Sequence, residues 1–126
     1  MDEHTEDQHV QQVTVEHFID QFLSAVCDSR RRHILAYLTS SSGPEDPPIE
    51  RSVGDIAEHL GLAMSTTSEH LKQLLQMHLL LTRKDGKRTL YRVRNRELVQ
   101  AFHDLIVSLK EHYHQNILSS VDKRAP

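Results

Sequence analysis

Two short runs of helical periodicity meet at Gly61, and their spacing constrains the fold more than any other feature of the chain. The first run, "SVGDIAEHL", places Ile56, Ala57 and Leu60 on one helical stripe. Ser52 precedes it and Asp55 follows three residues later, which predicts an N-cap in a capping-box arrangement. Gly61 supplies the left-handed residue that ends such a helix. The second run lies in "GLAMSTTSEHLKQLLQMHLL" and predicts a helix over about 65–77. Thr67, Leu71, Leu74 and Leu75 fall on one face of it, leaving Ser65, Thr66, Ser68, Glu69 and Lys72 outward. Ser and Thr are mediocre helix formers, because their hydroxyls compete for nearby backbone groups. A hydroxyl-rich start therefore points to a purpose other than helix stability.

The flanking sequence completes a mainly α fold. Phe18, Ile19, Phe22, Leu23 and Val26 recur at three- and four-residue spacing, predicting a first helix from about Val13. Asp28 caps a second, "SRRRHILAYL", whose Ile34, Leu35, Tyr37 and Leu38 face a core. "TSSSGPEDPPIE" carries three prolines and reads as an unstructured loop. Beyond the Gly61 pair, "LLLTRKDGKRTLYRV" forms two β-like runs around Asp85-Gly86, a hairpin signal. A short strand near 49–52 flanks that hairpin. Alternation predicts Thr89, Tyr91 and Val93 on one face of the ribbon and Arg88, Arg92 and Arg94 on the other. Asn95 caps a long last helix striped by Leu98, Val99, Phe102, Leu105, Ile106, Leu109 and Tyr113. The 126 residues suit one domain. It spans 12–118, with an acidic flexible arm over 1–11, a disordered-type loop over 40–50 and a tail over 119–126.

Composition narrows the class. One cysteine, Cys27, excludes an internal disulfide and fits a reducing cytoplasm; it is expected as buried packing at the start of the second helix. Absent Trp and only 4 Gly argue against a turn-rich β fold. No run approaches the roughly 20 apolar residues of a membrane span. The acidic start "MDEHTEDQHV" lacks the apolar stretch of a signal peptide. Net charge is −3, but residues 83–96 hold seven Lys or Arg and one Asp, whereas the first twenty residues hold six acids and no Lys or Arg. Binding to a polyanion depends on that local field rather than the sum.

Two short helices across a tight Gly turn make a helix-turn-helix, whose second helix enters the DNA major groove N-terminal end first. Small hydroxyl side chains there allow close backbone approach and donate to phosphates and base edges. Arg83, Lys84, Lys87 and Arg88 at the hairpin make a basic wing. These motifs resemble the winged helix-turn-helix repressors of the ArsR/SmtB family over about residues 13–115. The match rests on Asp28, Arg31, Ile34, Leu35 and Leu38, then on Ile56, Ala57, Leu60, Gly61, Leu62, Ser65, Thr66, Ser68, His70, Leu71 and Leu74. Leu79, Leu80, Arg83, Gly86 and Tyr91 complete it. The chain departs from the pattern at Ser29 for proline, Ala63 for serine, Thr67 for valine and His78 for glycine, and in an enlarged loop over 40–50. At 78 a glycine position implies left-handed backbone, which His tolerates better than β-branched residues do.

The resemblance implies an α-α-(β)-α-α-β-β-α winged helix that homodimerises through its first and last helices. It further implies repression at a palindromic double-stranded DNA operator, contacted by Ser65, Thr66, Ser68, Glu69, His70, Lys72, Arg83, Lys84, Lys87 and Arg88. Two metal sites known in the family give different readings. The Cys-x-Cys site at the third helix has no counterpart in "SVGDIAEHL". His103 and His114 match the spacing of a last-helix site for zinc or nickel, with Ala101 and Ile117 at its other two positions. Eleven residues separate these histidines by about 16 Å along one helix, so they could share an ion only across an antiparallel dimer. His4 and His9, with Glu6 and Asp7, could add ligands from the arm. The 10 histidines also suggest a pH response, with DNA affinity rising as pH falls from about 7.5 to 6. No nucleophile–base pair, phosphate-binding glycine loop or carboxylate pair points to an enzyme. The rival reading is a winged helix that binds a protein partner, which salt dependence would distinguish from a DNA binder.

Overall fold

The structure, a computed structural model, describes the backbone of residues 3–39 and 46–118 and the side chains of 14–39 and 46–118. Its elements run α1 (Glu3–Val26), α2 (Ser29–Tyr37), β1 (Arg51–Ser52), α3 (Val53–Leu60), α4 (Met64–Gln76), β2 (Leu80–Asp85), β3 (Arg88–Val93) and α5 (Arg96–His112). A π-helical segment, Tyr113–Leu118, follows α5. The order is the expected one. Part of the 40–50 loop (40–45) and the tail (119–126) lie outside the described residues, as do the side chains of His4, Glu6, Asp7 and His9. The first helix starts at Glu3, about ten residues before the apolar stripe that predicted it. Glu and Gln are good helix formers, and acids at a helix N-terminus suit its dipole. An apolar stripe reports where a helix packs, not where it begins.

The chain forms two compact units divided between Arg94 and Asn95. In the first, Ile34, Leu35 and Leu38 of α2, Ile56 and Ala57 of α3, and Leu71 and Leu74 of α4 are buried in one core. The helix ends follow local rules. Asp28 accepts hydrogen bonds from Arg30 N and Arg31 N and so starts α2. Ser52 and Asp55 form the predicted capping box on α3. Gly61 ends α3 at φ 66°, with Leu62 N donating to Ala57 O and Gly61 N to Glu58 O. The end of α4 repeats this Schellman pattern with His78 at φ 59°, its N–H on Leu75 O and Leu79 N on Leu74 O.

The sheet is antiparallel in the order β1-β3-β2, with Arg51 opposite Tyr91 and Thr82 opposite Tyr91 on the other side. Asp85 pairs with Arg88, so the hairpin turns on Gly86-Lys87, one residue later than Asp85-Gly86. Gly86 takes φ 63°, which suits glycine at the first central position of a II′ turn. Simple alternation in β3 fails at Leu90, which is buried although it shares a face with Arg88 and Arg92. β3 is the central strand, and α3, which leaves β1 directly at Ser52, lies against it.

In the second unit, Asn95 Oδ1 accepts from Leu98 N at 3.1 Å and caps α5. Val99 is buried, while Leu98, Phe102 and Ile106 are half-buried. Leu105, Val107, Leu109, Tyr113, Ile117 and Leu118 are exposed. No helix among the described residues is long and apolar enough to cross a membrane.

Candidate nucleic-acid interface

The front of α4 answers why four hydroxyl residues stand there. Thr67 is fully buried, and its Oγ1 donates to Ala63 O at 2.9 Å, so the inward hydroxyl is satisfied within its own turn. Ser65, Ser68, Glu69 and Lys72 are exposed and Thr66 is half-buried. The N-cap position is Ala63, which makes no side-chain capping bond. The first N–H groups of α4 are therefore left for an outside acceptor, on the end of the helix where the dipole favours an anion. His70, one of the DNA contacts the resemblance implies, is half-buried with a buried Nε2 that has no hydrogen-bond partner among the described residues. Desolvation raises the nearby Asp28 pKa, but the hydrogen bonds from Arg30 N and Arg31 N, with smaller contributions from His70 and the Arg31 charge, leave it lowered.

The wing carries Arg83, Lys84, Lys87 and Arg88, all exposed. Lys84 Nζ donates to Thr89 Oγ1 across the hairpin at 2.8 Å. Arg83 Nε donates to Glu50 Oε2 at 2.6 Å. That hydrogen bond and the attraction of the carboxylate raise the Arg83 pKa further. Sequence reasoning missed Glu50, because its loop position carries no periodic signal and the contact spans 33 residues. It also missed a stack in which Tyr37 and His59 lie 3.8 Å apart with Arg51 over the Tyr37 ring at 5.5 Å.

Cys27 is exposed, contrary to the expected buried packing. It falls in the turn between α1 and α2, whose carbonyl groups are held by Arg32 rather than by an apolar pocket: Arg32 Nη1 donates to Val26 O at 2.7 Å and to Cys27 O at 3.0 Å.

His103 is exposed on α5, and His114 is exposed in the π-helical segment with its ring edge-on to Tyr113 at 5.7 Å. The change to i→i+5 bonding at Tyr113 alters the angular position that regular α geometry assigns to His114. Among the described residues, no three His, Cys, Asp or Glu side chains group within one chain as a metal site would require. The donor set is also short, since Ala101 and Ile117 stand where two further ligands are needed.

Comparison with known proteins agrees with this geometry. The family described as "Bacterial regulatory protein, arsR family" matches residues 28–80, the span from the α2 cap to the first residue of β2. The HTH-type transcriptional regulator YgaV of Escherichia coli K12 is 31% identical over 91 residues, covering 72% of this chain and 81% of that protein. Among solved structures, reduced HlyU from Vibrio cholerae is similar at 26% identity and TM-score 0.61, covering 75% of this chain and 95% of that one. A homodimeric winged helix-turn-helix DNA-binding domain from Mycobacterium bovis shares the fold at 24% identity and TM-score 0.65, covering 81% of this chain and 86% of that one. The chain belongs to the ArsR family of bacterial regulatory proteins. It is a winged-helix, DNA-binding transcriptional regulator, and not an enzyme.

Proposed function

We propose that the protein is a cytoplasmic homodimeric repressor that holds a palindromic operator and leaves it when an inducer binds. The observation that carries this reading is the outward, uncapped, hydroxyl-bearing start of α4 on the same compact unit as an exposed cationic wing. Ser65, Thr66, Ser68, Glu69 and Lys72 would meet base edges and phosphates in the major groove, with the half-buried His70 behind them. Arg83, Lys84, Lys87 and Arg88 would reach flanking phosphates. The dimer is supported by apolar side chains that one chain leaves in water. Val15, Phe18, Ile19 and Leu23 of α1 are exposed, and so are Leu105, Val107 and Leu109 of α5. Exposed apolar surface in helical stripes marks an interaction face. The similar Mycobacterium bovis domain is a homodimer.

The test is selection of duplexes from a random pool, followed by titration at several salt concentrations. Recovery of inverted half-sites about one helical turn apart supports the reading. Recovery of no duplex even in dilute buffer refutes it. Zinc and nickel are tested on the same complex. With only two histidine donors at each site shared across the dimer and none from Ala101 or Ile117, micromolar zinc or nickel should leave DNA binding unchanged. Release by either metal would show that donors beyond His103 and His114, such as His4 and His9 near the start of α1, complete a site.

A further inference from the structure

One side chain ties the helix that presents the hydroxyls to the helix that bears the dimer face. Arg31, near the start of α2, donates from Nε to Ala25 O at 2.6 Å and from Nη2 to Ser24 O at 3.4 Å, both at the C-terminal end of α1. Its Nη1 donates to Gln73 Oε1 of α4 at 2.8 Å. The next residue, Arg32, serves, among the described residues, the carbonyls of Val26 and Cys27. Two neighbouring arginines thus cap the α1 terminus, where carbonyls lack helical partners and a cation is favoured. Only Arg31 also reaches α4.

That extra bond matters because of what else holds α4. Its buried seam is Thr67, Leu71 and Leu74, with Met77 just beyond its end. Apolar burial is non-directional and permits small rotations of a helix about its seam. A guanidinium hydrogen bond is directional and weakens steeply off-axis. Gln73 stands about 12 Å along the helix from Ser65, so a small tilt at Gln73 is displaced into the groove-facing end.

We propose that Arg31 is a positioning residue for DNA recognition: by bridging the end of α1 to Gln73, it fixes the direction in which α4 presents Ser65 and Ser68 relative to the dimer helix. It thereby sets the half-site spacing the dimer accepts. This inference rests on the proposed dimer and groove contact.

The experiment compares wild type, Gln73→Leu and Gln73→Glu on the duplex recovered by wild type and on versions with half-sites one base pair closer or farther apart. Gln73→Leu removes the α4 anchor and leaves the α1 cap intact. It should bind the recovered duplex about three- to tenfold more weakly and discriminate less between spacings. Gln73→Glu, which still accepts from Arg31, should keep wild-type spacing discrimination. Sedimentation equilibrium and circular dichroism should show an intact helical dimer in each. Wild-type spacing discrimination in Gln73→Leu overturns the proposal, as does an equal loss on every spacing, since Arg31 is then a helix cap alone. If wild type recovers no duplex, the DNA reading itself fails and takes this inference with it, a result distinct from either Gln73→Leu outcome.

Discussion

His78 holds the left-handed conformation that the family pattern gives to glycine, at φ 59°. An L side chain there costs about 1 kcal/mol. His78→Gly is therefore expected to raise stability by up to about 1 kcal/mol in chemical denaturation, and His78→Val to lower it. The residue was legible in the sequence because only local backbone geometry decides it. Glu50 was not, because it acts on Arg83 through a contact that depends on the sheet bringing a loop against β2. A pair this exposed is screened by solvent and adds little to folding. Arg83→Ala should lower DNA affinity and the salt slope, whereas Ser68→Ala should change which bases are preferred at one position of the selected duplex. Cys27 shows the limit of reading burial from residue type: cysteine is commonly buried, but the α1–α2 turn places this one in water.

At the scale of elements, caps and periodic stripes carried most of what the sequence predicted. Asp28, Ser52, Asp55, Gly61 and Asn95 all stand where their side chains or backbone freedom end or start a helix. Hydrogen bonds with Ser52, through its side chain and then its backbone, hold the Asp55 carboxyl below its usual value of 3.8. Desolvation raises the Asp28 pKa, but its bonds from Arg30 N and Arg31 N outweigh it and leave a net lowering. Both groups have folded pKa values below their unfolded ones. Their stabilisation is present above the unfolded value and lost as pH falls through the folded one. Unfolding free energy should drop as pH is taken from about 5 to 3, and the drop should shrink in Asp28→Asn and Asp55→Asn. Asn95→Ala should cost about 1 kcal/mol by loss of the α5 cap. The strand pattern was less legible: Leu90 is buried on the face assigned to arginines, in the central strand, which α3 also contacts. The turn to π-helical bonding at Tyr113 had no signal in the apolar stripe, which continues through it.

For the whole molecule, the apolar faces of α1 and α5 carry the claim of a dimer. Leu23 is 54% exposed in one chain, so Leu23→Glu should leave the fold unchanged by circular dichroism yet yield monomers in sedimentation. A dimer that survives this change would place the interface away from that part of α1. Charge is likewise a property of arrangement, since a chain of net charge −3 presents an exposed cationic wing and an open helix start on one compact unit. The most direct measurement is the salt dependence of binding to the selected duplex, for wild type and Arg88→Ala. Wild type should lose affinity steeply as salt rises, by about 0.9 log units per log unit of salt for each phosphate neutralised. Arg88→Ala should flatten that slope by about one contact for each subunit. A wild-type affinity indifferent to salt, or an Arg88→Ala slope equal to that of wild type, would contradict the placement of wing and hydroxyl helix on DNA.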